Sequence, residues 1–199
     1  MIYLFLANGF EEIEALCPLD LLRRAGLEVT TVGIGGDLIK GSHGIAVQAD
    51  IPDTMYRDSK PEMIILPGGM PGAKNLDESR IVDSALGAAA SSGGYLAAIC
   101  AAPMVLGKRG YLEGKNATCF PGFEEFLTGA TVAPSHTREK LLKAGERSLP
   151  PQAWAWLWNS VLRWFVCSRA MMPPRSSAAR CLPTDGNDEK RASRATQGA

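Results

Sequence analysis

"YLAAICAAPMVL", residues 95–106, runs from an apolar strand through one thiol into a second apolar run that opens on small residues and proline. Tyr95–Ile99 shows no polar alternation, so it reads as a strand buried on both faces. Cys100 ends it, Ala101 and Ala102 allow backbone to approach backbone, and Pro103 suits a first helical turn, where its missing N–H would be unpaired anyway. Strand, nucleophile-type residue, small neighbours and helix form the layout in which a sharp turn lifts a reactive atom above a sheet. A helix N-terminus behind Cys100 favours a thiolate and predicts a thiol pKa below the ordinary value of roughly 8.5. A buried structural cysteine would fit the same stretch.

Outward from this segment the rhythm repeats. Ile2–Ala7 and Met63–Leu66 are equally apolar and end at Asn8-Gly9 and Pro67-Gly68-Gly69. After the first strand, Ile13, Leu16, Cys17, Leu21 and Leu22 recur at helical spacing, and Ala25-Gly26 closes that helix. Leu27–Ile34 reads as a strand, Gly33–Gly44 as a turn or hairpin, Ile45–Gln48 as a short strand, and Ser79 as the cap of a helix reaching about Ser91. Fully apolar strands alternating with helices specify an α/β fold, a parallel sheet covered on both faces. Ligands of such sheets sit beyond the carboxyl ends of the strands. Gly9–Glu14, Pro67–Met70 and Cys100 all fall there. The backbone N–H groups of Gly68 and Gly69 could meet an oxyanion or simply form a tight turn. Glu11 and Glu12 suit the positive end of the helix dipole, whereas Glu14, close to the apolar stripe, is expected to point at the strand ends.

The 199 residues are 46% hydrophobic with a formal net charge of zero, which predicts one globular domain with a tail and no field for nucleic acid. Ile2–Ala7 lacks a basic flank and is too short for a signal peptide or a membrane span, so a cytoplasmic protein without membrane partners is expected. The five cysteines, Cys17, Cys100, Cys119, Cys167 and Cys181, are odd in number and never in C-x-x-C spacing. That argues against a disulfide framework or zinc, and no metal site is expected. Cys17 and Cys119 read as packed thiols.

Taken in order, "NGFEEIEALCPLDLLRRAGLEV", "GSHGI", "ILPGGMPGAKNL", "AAICAAPMVL" and "ATCFPGFEEFLTGATV" resemble the DJ-1/PfpI superfamily, on its DJ-1 (ThiJ-like) branch, over residues 1–136. The resemblance implies a flavodoxin-like three-layer sandwich with a mainly parallel sheet, a homodimer, and no cofactor. It also implies Cys100 as the reactive cysteine, Glu14 as its protonated partner, and Gly69, Cys100 and Ala101 as the lining of an anion pocket. Arg24 matches a motif arginine that approaches the site of the partner subunit. Phe120 stands where some members carry histidine, and Ala101 where the peptidase-like branch does, so a Cys-His protease or amidotransferase is not expected. His43 lies in a glycine-flanked turn at the edge of the pocket or on the surface, and His136 reads as structural.

The resemblance stops after His136. Residues 1–136 carry 10 Lys+Arg against 16 Asp+Glu, a net −6, and residues 137–199 carry 11 against 5, a net +6. All four tryptophans lie between Trp154 and Trp164. Tryptophan has one codon, and reading across the codon boundaries from Ser148 to about Ser160 permits "FITAAGLGLALEFG", the family's missing strand, turn and helix. A change of reading frame between about Thr137 and Arg147 accounts for this; an amphipathic extension of this chain is the alternative. The division read from sequence is thus 1–136 as the family-like domain with its C-terminal strand and helix replaced, 137–170 as an aberrant segment able to form a helix, and 171–199 as a disordered tail.

The paired chemistry can be stated independently. An ionised carboxylate beside a thiol raises the thiol's pKa, whereas a protonated one donates to the thiolate and stabilises it. Such a sulfur can add to an aldehyde or be oxidised stepwise. The resemblance therefore implies a glyoxalase or deglycase acting on small carbonyl compounds or glycated groups through Cys100 and Glu14. A redox-responsive stress protein or chaperone without turnover, or an inactive truncated relative, is the alternative.

Overall fold

A computed structural model describes residues 1–132 and the backbone of Leu142–Lys143. Its centre is a sheet in which β1 (Ile2–Leu6) lies between β2 (Val29–Gly33) and β6 (Met63–Leu66), with β7 (Tyr95–Ala98) beyond β6 and β5 (Ile51–Pro52) beyond β2. These pairings are all parallel, in register Ile2 with Val29 and Met63, and Met63 with Tyr95. One antiparallel strand, β10 (Leu142–Lys143), adds to the free edge of β7. The α/β architecture with a mainly parallel central sheet is the one expected. The boundary at residue 136, the segment 137–170 and the tail 171–199 lie outside the described residues, apart from that backbone.

Strand alternation distributes the apolar residues between two cores. Ile2, Leu4 and Leu6, with Met63, Ile65, Tyr95 and Ala97, meet Ala15, Leu19 and Leu22 of α1 (Glu12–Arg24). Tyr3 and Phe5, with Ile64, Leu66 and Leu96, meet α2 (Gly72–Asp77), α3 (Arg80–Ser92) and α4 (Pro103–Gly107). The chain steps from β1 outward to β2 and β5, then crosses back to β6 and β7. Right-handed crossovers in opposite directions must place their helices on opposite faces, which makes the three layers. Reversal of the strand order between β1 and β6 also opens a crevice at their carboxyl ends.

Several expectations shift. The buried face of α1 is Glu12, Ala15, Pro18, Leu19 and Leu22, whereas Ile13 is exposed, so the helix is rotated from the stripe read by spacing. It ends as expected: Gly26 N–H donates to Arg23 O and Leu27 N–H to Leu22 O, and the second bond delays β2 until Val29. The glycine-rich stretch is a hairpin, β3 (Leu38–Lys40) antiparallel to β4 (Ala46–Gln48). Ser79 caps α3 as expected, its hydroxyl accepting from Val82 N–H. β5 and α2 were not read from sequence; the first is two residues long and the second hides its helical period behind Pro71 and Gly72. Toward the end of the described chain, β8 (Asn116–Ala117) and β9 (Thr131–Val132) form a small parallel pair. Among the described residues, no helix is long and apolar enough to cross a membrane.

Candidate active site

Cys100 sits at φ 59°, the one non-glycine residue at positive φ among those described. Backbone there is strained by roughly 1–3 kcal/mol and persists only where its surroundings impose it. They do: Ala102 N–H donates to Ile99 O at 3.0 Å, and Phe120 N–H donates to Cys100 O at 2.7 Å. Ala101 and Ala102 are buried beneath the turn. The expected elbow is therefore present, but α4 behind it has only five residues, too short to carry a full helix dipole.

Glu14 enters from the first turn of α1. Its Oε2 accepts the Gly68 N–H at 2.9 Å, which brings its carboxyl beside Cys100. Gly68 is required between them. A Cβ added there would lie 2.6 Å from Glu14 Oε2 and 2.6 Å from Cys100 Cβ. Gly69, at φ +85°, turns the chain so that its own N–H, with that of Ala101, faces the sulfur. Of the residues singled out from sequence, Glu14, Gly68, Gly69, Cys100 and Ala101 thus converge on one point. The Gly68 N–H is engaged by the carboxylate, leaving Gly69 and Ala101 directed at the thiol. Arg24 is on the last turn of α1, about 15 Å along the axis from Glu14, and its Nε pairs with Asp20 at 2.7 Å.

The electrostatics correct one expectation. The thiol of Cys100 is not lowered but pushed up to about 11, by burial first and then by the charge and hydrogen bond of Glu14. The N–H groups of Gly69 and Ala101 act in the opposite direction and do not prevail. Glu14 is raised too, chiefly by burial and then, against the hydrogen bonds from Cys100 and Gly68, by the charge of Glu11. Both members of the pair hold protons more tightly than they would in water. The pair thus behaves as a proton-sharing couple and not as a thiolate preset by a helix.

Sequence reasoning missed the neighbouring role of Glu12. It is 4% exposed, and it accepts from His43 N–H at 2.8 Å, His43 Nδ1 at 2.8 Å and Ser42 Oγ at 3.2 Å. The signal was available in Gly41, where a Cβ would overlap the Glu12 carboxylate. His43 therefore edges the loop as a partner of Glu12. Glu11, Glu12 and His43 bring ligand-type atoms within 4.8 Å of one another, but these atoms are already engaged in hydrogen bonds. Phe120 is 54% exposed beside the elbow, Cys119 is buried, and Cys17 is half-buried on α1. His136, Cys167 and Cys181 lie outside the described residues.

The DJ-1/PfpI family pattern matches residues 1–142. Protein dj-1beta of Drosophila melanogaster is 40% identical over 123 residues, covering 61% of this chain and 66% of that protein. A deglycase of Pyrococcus horikoshii is 32% identical over 127 residues, covering 63% and 75% of the two chains. The match spans only 30% of the length of DJ-1 homolog B of Arabidopsis thaliana. Among solved structures, Drosophila DJ-1beta superposes with a TM-score of 0.62 at 35% identity, covering 67% of this chain and 74% of that one. Toxoplasma gondii DJ-1, in an oxidized form, gives 0.60 at 34% identity, covering 63% and 69%. With its flavodoxin-like sheet and its elbow cysteine, this chain belongs to the DJ-1/PfpI family.

Proposed function

We propose that the protein acts on small reactive carbonyl compounds or glycated groups as a glyoxalase or deglycase, with Cys100 as nucleophile and Glu14 as proton carrier. The observation that carries this reading is the Glu14–Gly68–Cys100 contact, in which a raised carboxyl meets a raised thiol under two inward-facing N–H groups. A general base with an elevated pKa takes a proton without being a weak base at neutral pH. As sulfur forms a bond to the aldehyde carbon, its proton passes to Glu14, and the carbonyl π pair becomes an alkoxide opposite the N–H groups of Gly69 and Ala101. In a 2-oxoaldehyde, Glu14 gives that proton to the alkoxide, takes the C1 proton to leave an enediolate, and, once the hydroxyl proton has shifted from O1 to O2, delivers its proton to C2. That internal redox step leaves a thioester, which water releases as the 2-hydroxy acid, with no external electron carrier.

The family deglycase supports this substrate class. Homodimer formation, with Arg24 reaching the site of the partner subunit, and a cytoplasmic location belong to the same proposal. A second reading, redox sensing through Cys100, is favoured by the half-buried position of the sulfur on a strained turn and by the oxidized form of the Toxoplasma relative. Turnover of methylglyoxal to lactate that is lost in Cys100→Ala is the expected result. Negligible turnover accompanied by clean peroxide oxidation of Cys100 selects the sensor instead.

A further inference from the structure

We propose that Phe120 forms the subsite for the second group of the carbonyl substrate, and selects compounds in which that group is a neutral aromatic ring, such as arylglyoxals, over those that carry a methyl. Its backbone is tied to the elbow, since the Phe120 N–H donates to Cys100 O at 2.7 Å. The residue is nevertheless 54% exposed. Its ring meets Phe123 edge to face, with centroids 6.5 Å apart, and Phe123 meets Phe126 at 6.2 Å. Phe123 and Phe126 are packed against the core that holds α2, α3 and α4. Phe120 is thus the outer member of an anchored aromatic run, held at the elbow and open to solvent. Met70, 48% exposed, adds a second apolar side chain next to Gly69, whose N–H faces the sulfur. Isolated apolar residues are ordinary on a protein surface. These two differ in that one is bonded to Cys100 and the other adjoins the turn that faces it.

A site with a few convergent polar groups and apolar walls takes a ligand with a polar reacting end and an apolar body. Cys100, Glu14 and the N–H groups of Gly69 and Ala101 supply the polar end, and Phe120 with Met70 the apolar side. The charges placed around them are carboxylates: Glu11 and Glu14 at the start of α1, and the exposed Glu124 and Glu125 between Phe123 and Phe126. Lys108, at the far end of the aromatic run, is already engaged, with Nζ 4.9 Å from the Phe126 ring centroid and 2.6 Å from Asp77 Oδ2. A carboxylated substituent therefore meets repulsion, and a methyl group leaves the Phe120 ring in water. A neutral aryl group can pair with that ring as Phe123 does.

The inference rests on the proposed carbonyl chemistry of Cys100 and adds its substrate class. Its test is the ratio of kcat/KM for phenylglyoxal to that for methylglyoxal in the full chain, a ratio from which any loss of folded protein cancels. In Phe120→Ala, which keeps the N–H bonded to Cys100, the ratio falls roughly three- to tenfold, the size of one aromatic contact. Leu38→Ala, at an exposed apolar residue on β3, leaves the ratio as in the parent. Should Phe120→Ala not fold, Phe120→Leu removes the ring while keeping apolar bulk, and lowers the ratio in the same direction. A ratio unchanged by loss of the Phe120 ring, or lowered as much in Leu38→Ala, overturns the proposal. Turnover of neither aldehyde overturns the functional reading itself, a distinct outcome. The subsite is then decided by alkylation of Cys100 with N-phenyliodoacetamide against iodoacetamide, read on the Cys100 peptide by mass spectrometry. The same fall in the rate ratio supports it, and equal ratios in parent and variant overturn it.

Discussion

Glu14 and Cys100 stand far apart in the chain, on the first turn of α1 and just after β7, yet meet on either side of Gly68 at the carboxyl edge of the sheet. Only a residue without a side chain fits there, since a Cβ would stand 2.6 Å from both Glu14 Oε2 and Cys100 Cβ. Gly68→Ala must therefore push the pair apart. The expected outcome is a loss of Cys100 alkylation rate at neutral pH on the order of tenfold, with about 1–3 kcal/mol of stability lost to overpacking. Iodoacetamide kinetics and urea denaturation of the same preparation check both. An unchanged rate would mean that the contact is dispensable.

Glu14→Gln separates acidity from catalysis. The charge and hydrogen bond of Glu14 both raise the thiol, which stands at about 11. Removing the charge lowers the Cys100 pKa, so thiolate absorbance near 240 nm appears at lower pH than in the parent. Carbonyl turnover nevertheless falls, by about 10²- to 10⁴-fold, because the group that accepts and returns the proton is gone. A variant with both an acidified thiol and full turnover would remove Glu14 from the mechanism.

Much of this arrangement was legible in the sequence, because it is encoded in residues that few other structures need. Apolar runs without alternation gave β1, β6 and β7, and the small residues after Cys100 gave the elbow. The phase of α1 was not legible. Ile13 is apolar yet exposed, and Glu12 is charged yet buried, because the 41–44 loop supplies the hydrogen bonds that make burial of Glu12 tolerable. Hydrophobic spacing cannot register a partner thirty residues away. Nor could it show that α4 is five residues long, or that burial and the Glu14 charge outweigh the N–H groups of Gly69 and Ala101 at the thiol.

Arg109 joins three helices at one side chain. It donates from Nη1 to Asp77 Oδ1 at 2.6 Å and Val105 O at 2.9 Å, from Nη2 to Asp77 O at 2.8 Å, and from Nε to Asp83 Oδ1 at 2.8 Å. Asp77 is mostly buried, so truncating its partner leaves a carboxylate without full compensation. Arg109→Ala should cost about 2–3 kcal/mol. Thermal denaturation reads that loss, and the alkylation rate of the folded protein should be unchanged, since none of these bonds touches the elbow.

The Glu12–His43 pair makes stability depend on pH from both sides. Burial pushes the Glu12 carboxyl up, but the side-chain and backbone hydrogen bonds of His43 prevail and bring it from 4.5 to about 2. Its contribution is therefore complete above about pH 4.5 and lost as pH falls toward about 2. The His43 imidazole is raised above 6.5 by its hydrogen bond to Glu12 and then by the Glu12 charge. That contribution is complete below 6.5 and disappears as pH rises through the raised value. The clasp is strongest between these limits. His43→Ala removes the imidazole while leaving the His43 N–H and Ser42 bonds to Glu12, so the alkaline decline attributable to His43 should vanish and the acid limb should move to higher pH. Melting temperatures of parent and variant across pH 3–9 test this, and parallel curves over the whole range would show that the pair contributes nothing to folding.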